Sequence, residues 1–151
     1  GFLPGDLREK MDPWVQPIYQ NMFLLYDKTK IEKCIEDGQI EIVPVSFMRG
    51  RTFLDSIVIV DEAQNVTHEQ MQMIVTRIGL RSKMIICGDD HQVDLKSRKD
   101  SGFRFLYTAA RKIKNMVGIT LKQNHRDPIV EGLIEMYEDA EERGITGGKK
   151  K

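Results

Sequence analysis

The sequence predicts an α/β fold in which a mostly parallel sheet is flanked by helices. Three observations carry that prediction. Ile57, Val58, Ile59 and Val60 form a β-branched run without polar alternation, as a strand buried on both faces of a parallel sheet does. Met84-Ile85-Ile86-Cys87 is a second short apolar run. Between them Met71, Ile74, Val75 and Ile78 recur at i, i+3, i+4 and i+7, the spacing of an amphipathic helix ended by Gly79. Strand, helix, strand is a βαβ crossover, so the two strands are expected to lie parallel with their carboxyl ends on one edge.

A chain of 151 residues, 40% hydrophobic and 30% charged, is expected to form one domain over 1–144 with a proper core, followed by a disordered tail over 145–151. No run approaches the roughly 18 apolar residues of a membrane span, and no signal-peptide pattern is present, so the expected compartment is the cytoplasm. Cys34 and Cys87 lack CxxC spacing and read as core thiols in a reducing environment. The zero formal net charge hides an uneven distribution. From Lys96 to Arg126 the charges are basic except for Asp100; from Asp127 to Glu142 they are all acidic. A basic segment of this kind either faces phosphate or solvates a helix face.

Taken in order, Gly1 to Leu7 reads as the middle of a longer polypeptide. Asp12-Pro13 is a good helix entry, and the helix is expected to reach Tyr26 with a bend at Pro17, turning Trp14, Ile18, Met22 and Leu25 inward. Thr29 is expected to cap a short helix with Ile31, Cys34 and Ile35, closed by Gly38. Ile40 to Val45 reads as a strand whose Pro44 marks an end or an edge. In the following Met48-Arg49-Gly50-Arg51-Thr52, two arginines flank a glycine in a cationic turn, suited to phosphate oxygens or simply solvated.

At the end of the first apolar run stand Asp61 and Glu62. Adjacent acids at the tip of a buried strand are costly without a partner but serve well beside a bound cation, and that sheet edge is where ligands bind in open α/β folds. The pattern matches the Walker B element of nucleotide hydrolases, in which one acid holds magnesium and the next positions or deprotonates the attacking water. The alternative is a solvated loop that caps the next helix, where Thr67 and Gln70 have capping-box spacing.

The second strand delivers Gly88-Asp89-Asp90-His91-Gln92-Val93-Asp94. Gly88 permits a tight turn, and Gln92 suits a terminal phosphate or the attacking water; a metal site from Asp89, Asp90, His91 and Asp94 is the weaker alternative, since so short a loop cannot converge on one ion. A helix after Ser101 carries Phe103, Phe105, Leu106, Ala109, Ala110 and Ile113. Met116 to Leu121 reads as a third parallel strand weakened by Gly118. Arg126, just beyond it, either neutralises charge on a transferred phosphoryl group or forms a surface ion pair with Asp127. Pro128 opens a last helix with Ile129, Leu133 and Met136 inward, closing near Gly144.

Together, Ile57 to Asn65 (IVIVDEAQN), the preceding MRGRT, the opening GFLPGDL and the later GDDHQVDL make the chain similar to the PhoH family of ATPases. Leu121 to Arg126 (LKQNHR) resembles the corresponding segment of the related helicases of superfamily one. The resemblance runs from Gly1 to about Glu142. It implies a RecA-like P-loop NTPase sandwich, ATP and magnesium as ligands, ring assembly in many members, and action on RNA or single-stranded nucleic acid in some. By position it implies Asp61 as the magnesium-binding acid, Glu62 as the acid that activates water, Gln64 and Gln92 as γ-phosphate sensors, and Arg126 as the phosphate-sensing arginine. Arg49 and Arg51 belong to the family signature and are left between a nucleotide of a neighbouring subunit and nucleic acid.

The Walker A loop GxxxxGK[ST], whose amides and lysine cradle the phosphates, is absent from this sequence. The only GK step, Gly148-Lys149, is followed by Lys150, and Arg143 stands where the first glycine belongs. The expectation is therefore a sandwich incomplete at its N-terminal side: the carboxyl-terminal part of a magnesium-dependent ATPase, inactive alone, with a P-loop segment as its natural partner. The competing expectation is a non-catalytic nucleic-acid-binding or assembly module.

Overall fold

A computed structural model of the chain describes residues 7–123, 125 and 127–145, the side chains of 7–14, 141 and 142 excepted. The chain divides into two compact units, Gly1–Leu106 and Tyr107–Lys151.

The first unit opens with α1 (Leu7–Leu25) and α2 (Lys28–Glu36). Helix α1 starts ahead of Asp12-Pro13, because the strong helix formers Leu7 to Met11 already carry it, and Pro17 does not end it. Its buried and half-buried face is Val15, Ile18, Tyr19, Met22 and Phe23, at i, i+3, i+4, i+7 and i+8, while Leu25 is exposed. Ile18 and Met22 are inward as expected and Leu25 is not, the side chain of Trp14 lies outside the described residues, and Tyr19 stacks on Phe23. The cap of α2 is Asp27, whose carboxylate accepts from the Lys30 amide at 3.2 Å, and not Thr29. Gly38 (φ 69°) takes the left-handed conformation that turns the chain out of α2.

Ile40 to Val45 is not a strand. Pro44 has no amide to give a ladder, and the segment instead leads into a short helical turn, Val45–Phe47, while Val43 and Val45 pack on the core. Strands β1 (Ile57–Val60) and β2 (Lys83–Ile86) then pair in parallel, Ile57 opposite Lys83 and Val60 opposite Ile86. Between them lies α3 (His68–Val75), entered through the expected capping box: the Thr67 hydroxyl accepts from the Gln70 amide and the Gln70 side chain from the Thr67 amide. Helix α3 stops well before Gly79, because the Thr76 hydroxyl bonds back to the carbonyls of Gln72 and Met73. Gly79 serves a different purpose: a Cβ there would stand 2.6 Å from the Phe53 carbonyl oxygen.

The core of this unit is Met48, Val60, Ala63, Val66, Met71 and Ile74, with Val58, Met84 and Ile86 of the same sheet face packed on it, together with Phe103 and Leu106 from α4 (Gly102–Ala109). The opposite sheet face is exposed among the described residues. Ile57 and Ile59 are 72% and 66% exposed, and Ile85 is exposed beside them. Phe105 and Ile113, expected inward, are exposed as well.

In the second unit, Met116 to Leu121 forms no strand among the described residues, and Val117, Ile119 and Leu121 are exposed. No strand pairs with it among the described residues; Tyr107 packs against Gly118 and its hydroxyl meets the Thr120 hydroxyl at 2.7 Å. Helix α5 (Pro128–Glu142) starts at Pro128 as expected, but Ile129, Leu133 and Met136 are exposed rather than inward. Among the described residues no helix is long and apolar enough to cross a membrane. Both cysteines are free thiols; Cys87 is exposed rather than in the core. The expected tail beyond Ile145 lies outside the described residues.

The two faces of β1 make opposite predictions. Ile74→Ala, beneath the covered face and fully buried, should cost about 2–5 kcal/mol in urea unfolding of this chain. Ile59→Ala, on the exposed face, should cost under about 0.5 kcal/mol.

Candidate functional site

The parallel register sets the site. Because Val60 lies opposite Ile86, the residues after both strands emerge side by side. The pairing runs on past the strands, with the Cys87 amide donating to the Val60 carbonyl at 2.8 Å and the Ala63 amide to the Cys87 carbonyl at 2.9 Å. Between these bonds Asp61 and Glu62 are extruded to the surface. Glu62 adopts a left-handed backbone (φ 50°, ψ 35°), unusual for a non-glycine residue and a conformation that clusters at functional sites. The turn Ala63–Asn65 then folds back, burying Ala63 and Gln64.

Asp61 and Glu62 are both exposed. Asp61 Oδ1 accepts from the Glu62 amide at 3.0 Å, and its other oxygen receives no hydrogen bond among the described residues. Glu62 Oε2 accepts from Gln64 Nε2 at 2.7 Å. Gln64 is 1% exposed and reaches the second loop, where its Nε2 also donates to the Gln92 carbonyl at 3.3 Å and its Oε1 accepts from the Asp89 amide at 3.1 Å. Gln92 is exposed, its Nε2 donating to Asp89 Oδ2 at 2.7 Å. Asp61, Glu62, Gln64 and Gln92 are therefore brought to one edge by one hydrogen-bonded network.

Three further residues build the site. Asp89 holds Gln92 and also accepts from the His91 amide at 2.9 Å. Asn65 Oδ1 accepts from the Asp94 amide at 2.7 Å, a second tie between the loops. Gly88, expected only to permit a tight turn, is needed for close approach, since a Cβ there would lie 3.0 Å from the Gln64 amide nitrogen and from Gln64 Oε1. The acid-rich loop carried a signal for Asp89, but nothing in the sequence marked it as the holder of Gln92.

Among the described residues no group of three or more His, Cys, Asp or Glu side chains is arranged to hold a metal. Within the loop, Asp90 pairs with Arg104 at 3.6 Å and Asp89 is turned to Gln92 and His91. The exposed Asp61 carboxylate fits magnesium of the kind that keeps its waters and is held by one or two carboxylates together with substrate phosphates, and does not fit an all-protein cage.

The cationic turn is partly committed. Arg51 forms a forked pair with Glu41, 3.0 Å and 2.6 Å, and its guanidinium lies 5.6 Å from the Phe53 ring centroid. The pair with Glu41 occupies two of the five guanidinium donors of Arg51, whereas Arg49 is exposed. Arg126 lies outside the described residues. Its neighbour Asp127 caps α5, accepting from the Ile129 amide at 3.0 Å.

Residues 1–138 match the family model described as PhoH-like protein. The PhoH-like protein of Synechocystis sp. is 41% identical over 143 residues, covering 93% of this chain and 44% of the relative. That of Bacillus subtilis is 44% identical over 140 residues, covering 91% and 44%. Protein PhoH of Escherichia coli is 44% identical over 104 residues, covering 68% and 29%. The chain thus spans less than half the length of these relatives.

The Arg51 hydrogen bond holds the Glu41 carboxyl below its ordinary value of 4.5, outweighing the opposing effect of burial. The resulting stabilisation is present above pH 4.5 and is lost as the pH falls through the depressed value. Solvent screens the pair, so the loss should be about 1 kcal/mol at most. Arg51→Ala should remove that part of the acid dependence, as read by unfolding between about pH 3 and about pH 6, a window that brackets carboxylate titration.

Proposed function

This chain belongs to the PhoH-like protein family, whose model it matches over residues 1–138, and from that premise we propose that it supplies the Walker B and phosphate-sensing part of a magnesium-dependent ATPase. The observation that carries the reading is the shared edge. Two adjacent acids and a glutamine side chain are extruded from neighbouring parallel strand tips, with Glu62 held in a left-handed backbone. Nothing in the packing of β1 and β2 requires those groups there.

Bound magnesium supplies neutralisation of phosphate charge and orientation of an attacking water. On this reading Asp61 holds the ion directly or through water, and Glu62 orients the water or takes its proton. Gln92, which donates one Nε2 hydrogen to Asp89, keeps the other for a phosphate oxygen or the water. Arg126 meets the transferred phosphoryl group, and Gln64 belongs to the same constellation. On the same reading the fold extends to a RecA-like sandwich, with a P-loop-bearing segment as partner seated on the exposed sheet face of Ile57, Ile59 and Ile85. Parallel strands are ordinarily covered on both faces, and relatives of this family are more than twice as long as the matched segment. Two free thiols agree with a cytoplasmic protein.

Coupling to RNA or single-stranded DNA is the companion proposal. It rests on the exposed cations Lys96, Arg111, Lys112, Lys114 and Lys122, with Arg49 as a further contact to nucleic acid or to a neighbouring subunit of a ring. A non-catalytic nucleic-acid-binding module remains the rival, distinguished by affinity that falls steeply with salt and survives Asp61→Ala.

Calorimetry of this chain with ATP and magnesium should detect no micromolar binding, and hydrolysis should stay at background. Joining it to an upstream segment bearing GxxxxGK[ST] should restore hydrolysis, and Glu62→Gln should then lower kcat by about 100-fold or more. Micromolar binding by this chain alone, or full activity of the Glu62→Gln protein, would contradict the proposal.

A further inference from the structure

We infer that Gln64 is a positioning residue, whose buried amide fixes the Glu62 carboxylate and locks the β1 turn to the β2 turn, and that it does not itself touch phosphate. The inference rests on the proposed role of Glu62.

A primary amide has two hydrogens to donate and one oxygen to accept with. In Gln64 both hydrogens have acceptors, Glu62 Oε2 at 2.7 Å and the Gln92 carbonyl at 3.3 Å. Its oxygen accepts from the Asp89 amide at 3.1 Å. Only an unused acceptor site on the oxygen is left, and an ionised phosphate has nothing to donate to it. The side chain is also 1% exposed, so turning it toward a ligand would strand the Asp89 amide and the Gln92 carbonyl.

The connections explain why the residue is glutamine. A glutamate would place a second carboxylate beside Glu62 and lose both donors. A methionine or leucine fills the space but leaves each of the three partners without its bond. Packing fixes the amide in place: Gly88 lets the β2 turn close so tightly that a Cβ would lie 3.0 Å from Gln64 Oε1, and the Phe103 ring backs the same point. The lock reaches further through the Gln92 carbonyl. Gln92 is held at its side chain by Asp89 and at its carbonyl by Gln64, so the separation between the Glu62 carboxylate and the Gln92 amide is set by Gln64 together with Asp89, whose own amide Gln64 also holds. Gln92 is thereby the glutamine that faces outward, and Gln64 the one that holds it there.

The test has two parts. In this chain, NMR should show the Gln64 side-chain hydrogens exchanging with water about ten times more slowly than those of the exposed Gln72, as buried hydrogen-bonded groups do. Glu62→Ala should shift their resonances and Asp61→Ala should not; Gln64→Met should speed exchange of the Asp89 amide. In the polypeptide joined to a P-loop segment, Gln64→Met should lower kcat by about tenfold or more while KM for magnesium-ATP stays within about twofold, the signature of an interaction used beyond ground-state binding. If Gln64→Met fails to fold, Gln64→Glu, which keeps the acceptor for Asp89 and loses both donors, should show the same loss of kcat. Gln64 hydrogens that exchange like those of Gln72, or a folded Gln64 variant with unchanged kcat, would overturn the inference. Full activity of Glu62→Gln would instead remove the role of Glu62, and the NMR result would still decide whether Gln64 forms the lock.

Discussion

The parallel pairing of Ile57–Val60 with Lys83–Ile86 is the constraint on which the rest of the first unit depends. A parallel pair points both strands the same way, and α3 returns the chain so that both tips finish on one edge. The groups of chemical interest then sit in the two turns beyond those tips. After β1 the backbone turns sharply at Glu62, and after β2 it runs so close to that turn that a Cβ at Gly88 would lie 3.0 Å from Gln64. Had the register slipped by one residue, Val58 and Val60 would face outward and the Gln64 amide would miss its partners in the second loop.

Packing and chemistry are divided between the two faces and the edge of this sheet. Val58, Val60, Met84 and Ile86 cover α3 and give the unit its core. Ile57, Ile59 and Ile85 give it an exposed apolar surface. At the edge, Asp61 and Gln92 stand exposed beside a buried Gln64. The network at the edge is complete without a ligand, which leaves little reorganisation to be done when one arrives.

Much of this was legible in the sequence where local rules act alone. The β-branched run, the capping box of Thr67 and Gln70, the Pro128 helix start and the convergence of DEAQ with GDDHQ all follow from spacing and composition. What escaped was decided by partners distant in sequence. Met116 to Leu121 has the composition of a strand, but composition cannot provide an edge to pair with, and Val117, Ile119 and Leu121 stay exposed. On α1 the spacing picked out Ile18 and Met22, but Leu25 is as apolar as they are, and only tertiary packing leaves it exposed while burying Val15. Burial of Gln64 was invisible for the same reason, since its partners Asp89 and Gln92 lie 25 and 28 residues on. A polar residue is admitted to the interior by acceptors and donors that the local sequence does not display.

The central claim is that the carboxyl edge of β1 and β2 is where a metal–nucleotide complex sits. Paramagnetic manganese with ATP, added to the polypeptide joined to a P-loop segment and followed by NMR, bears on it most directly. The account predicts selective broadening at Asp61, Glu62 and Gln92, with the buried Gln64 amide broadened but not displaced. Broadening confined to other parts of the chain, with those residues unchanged, would contradict it.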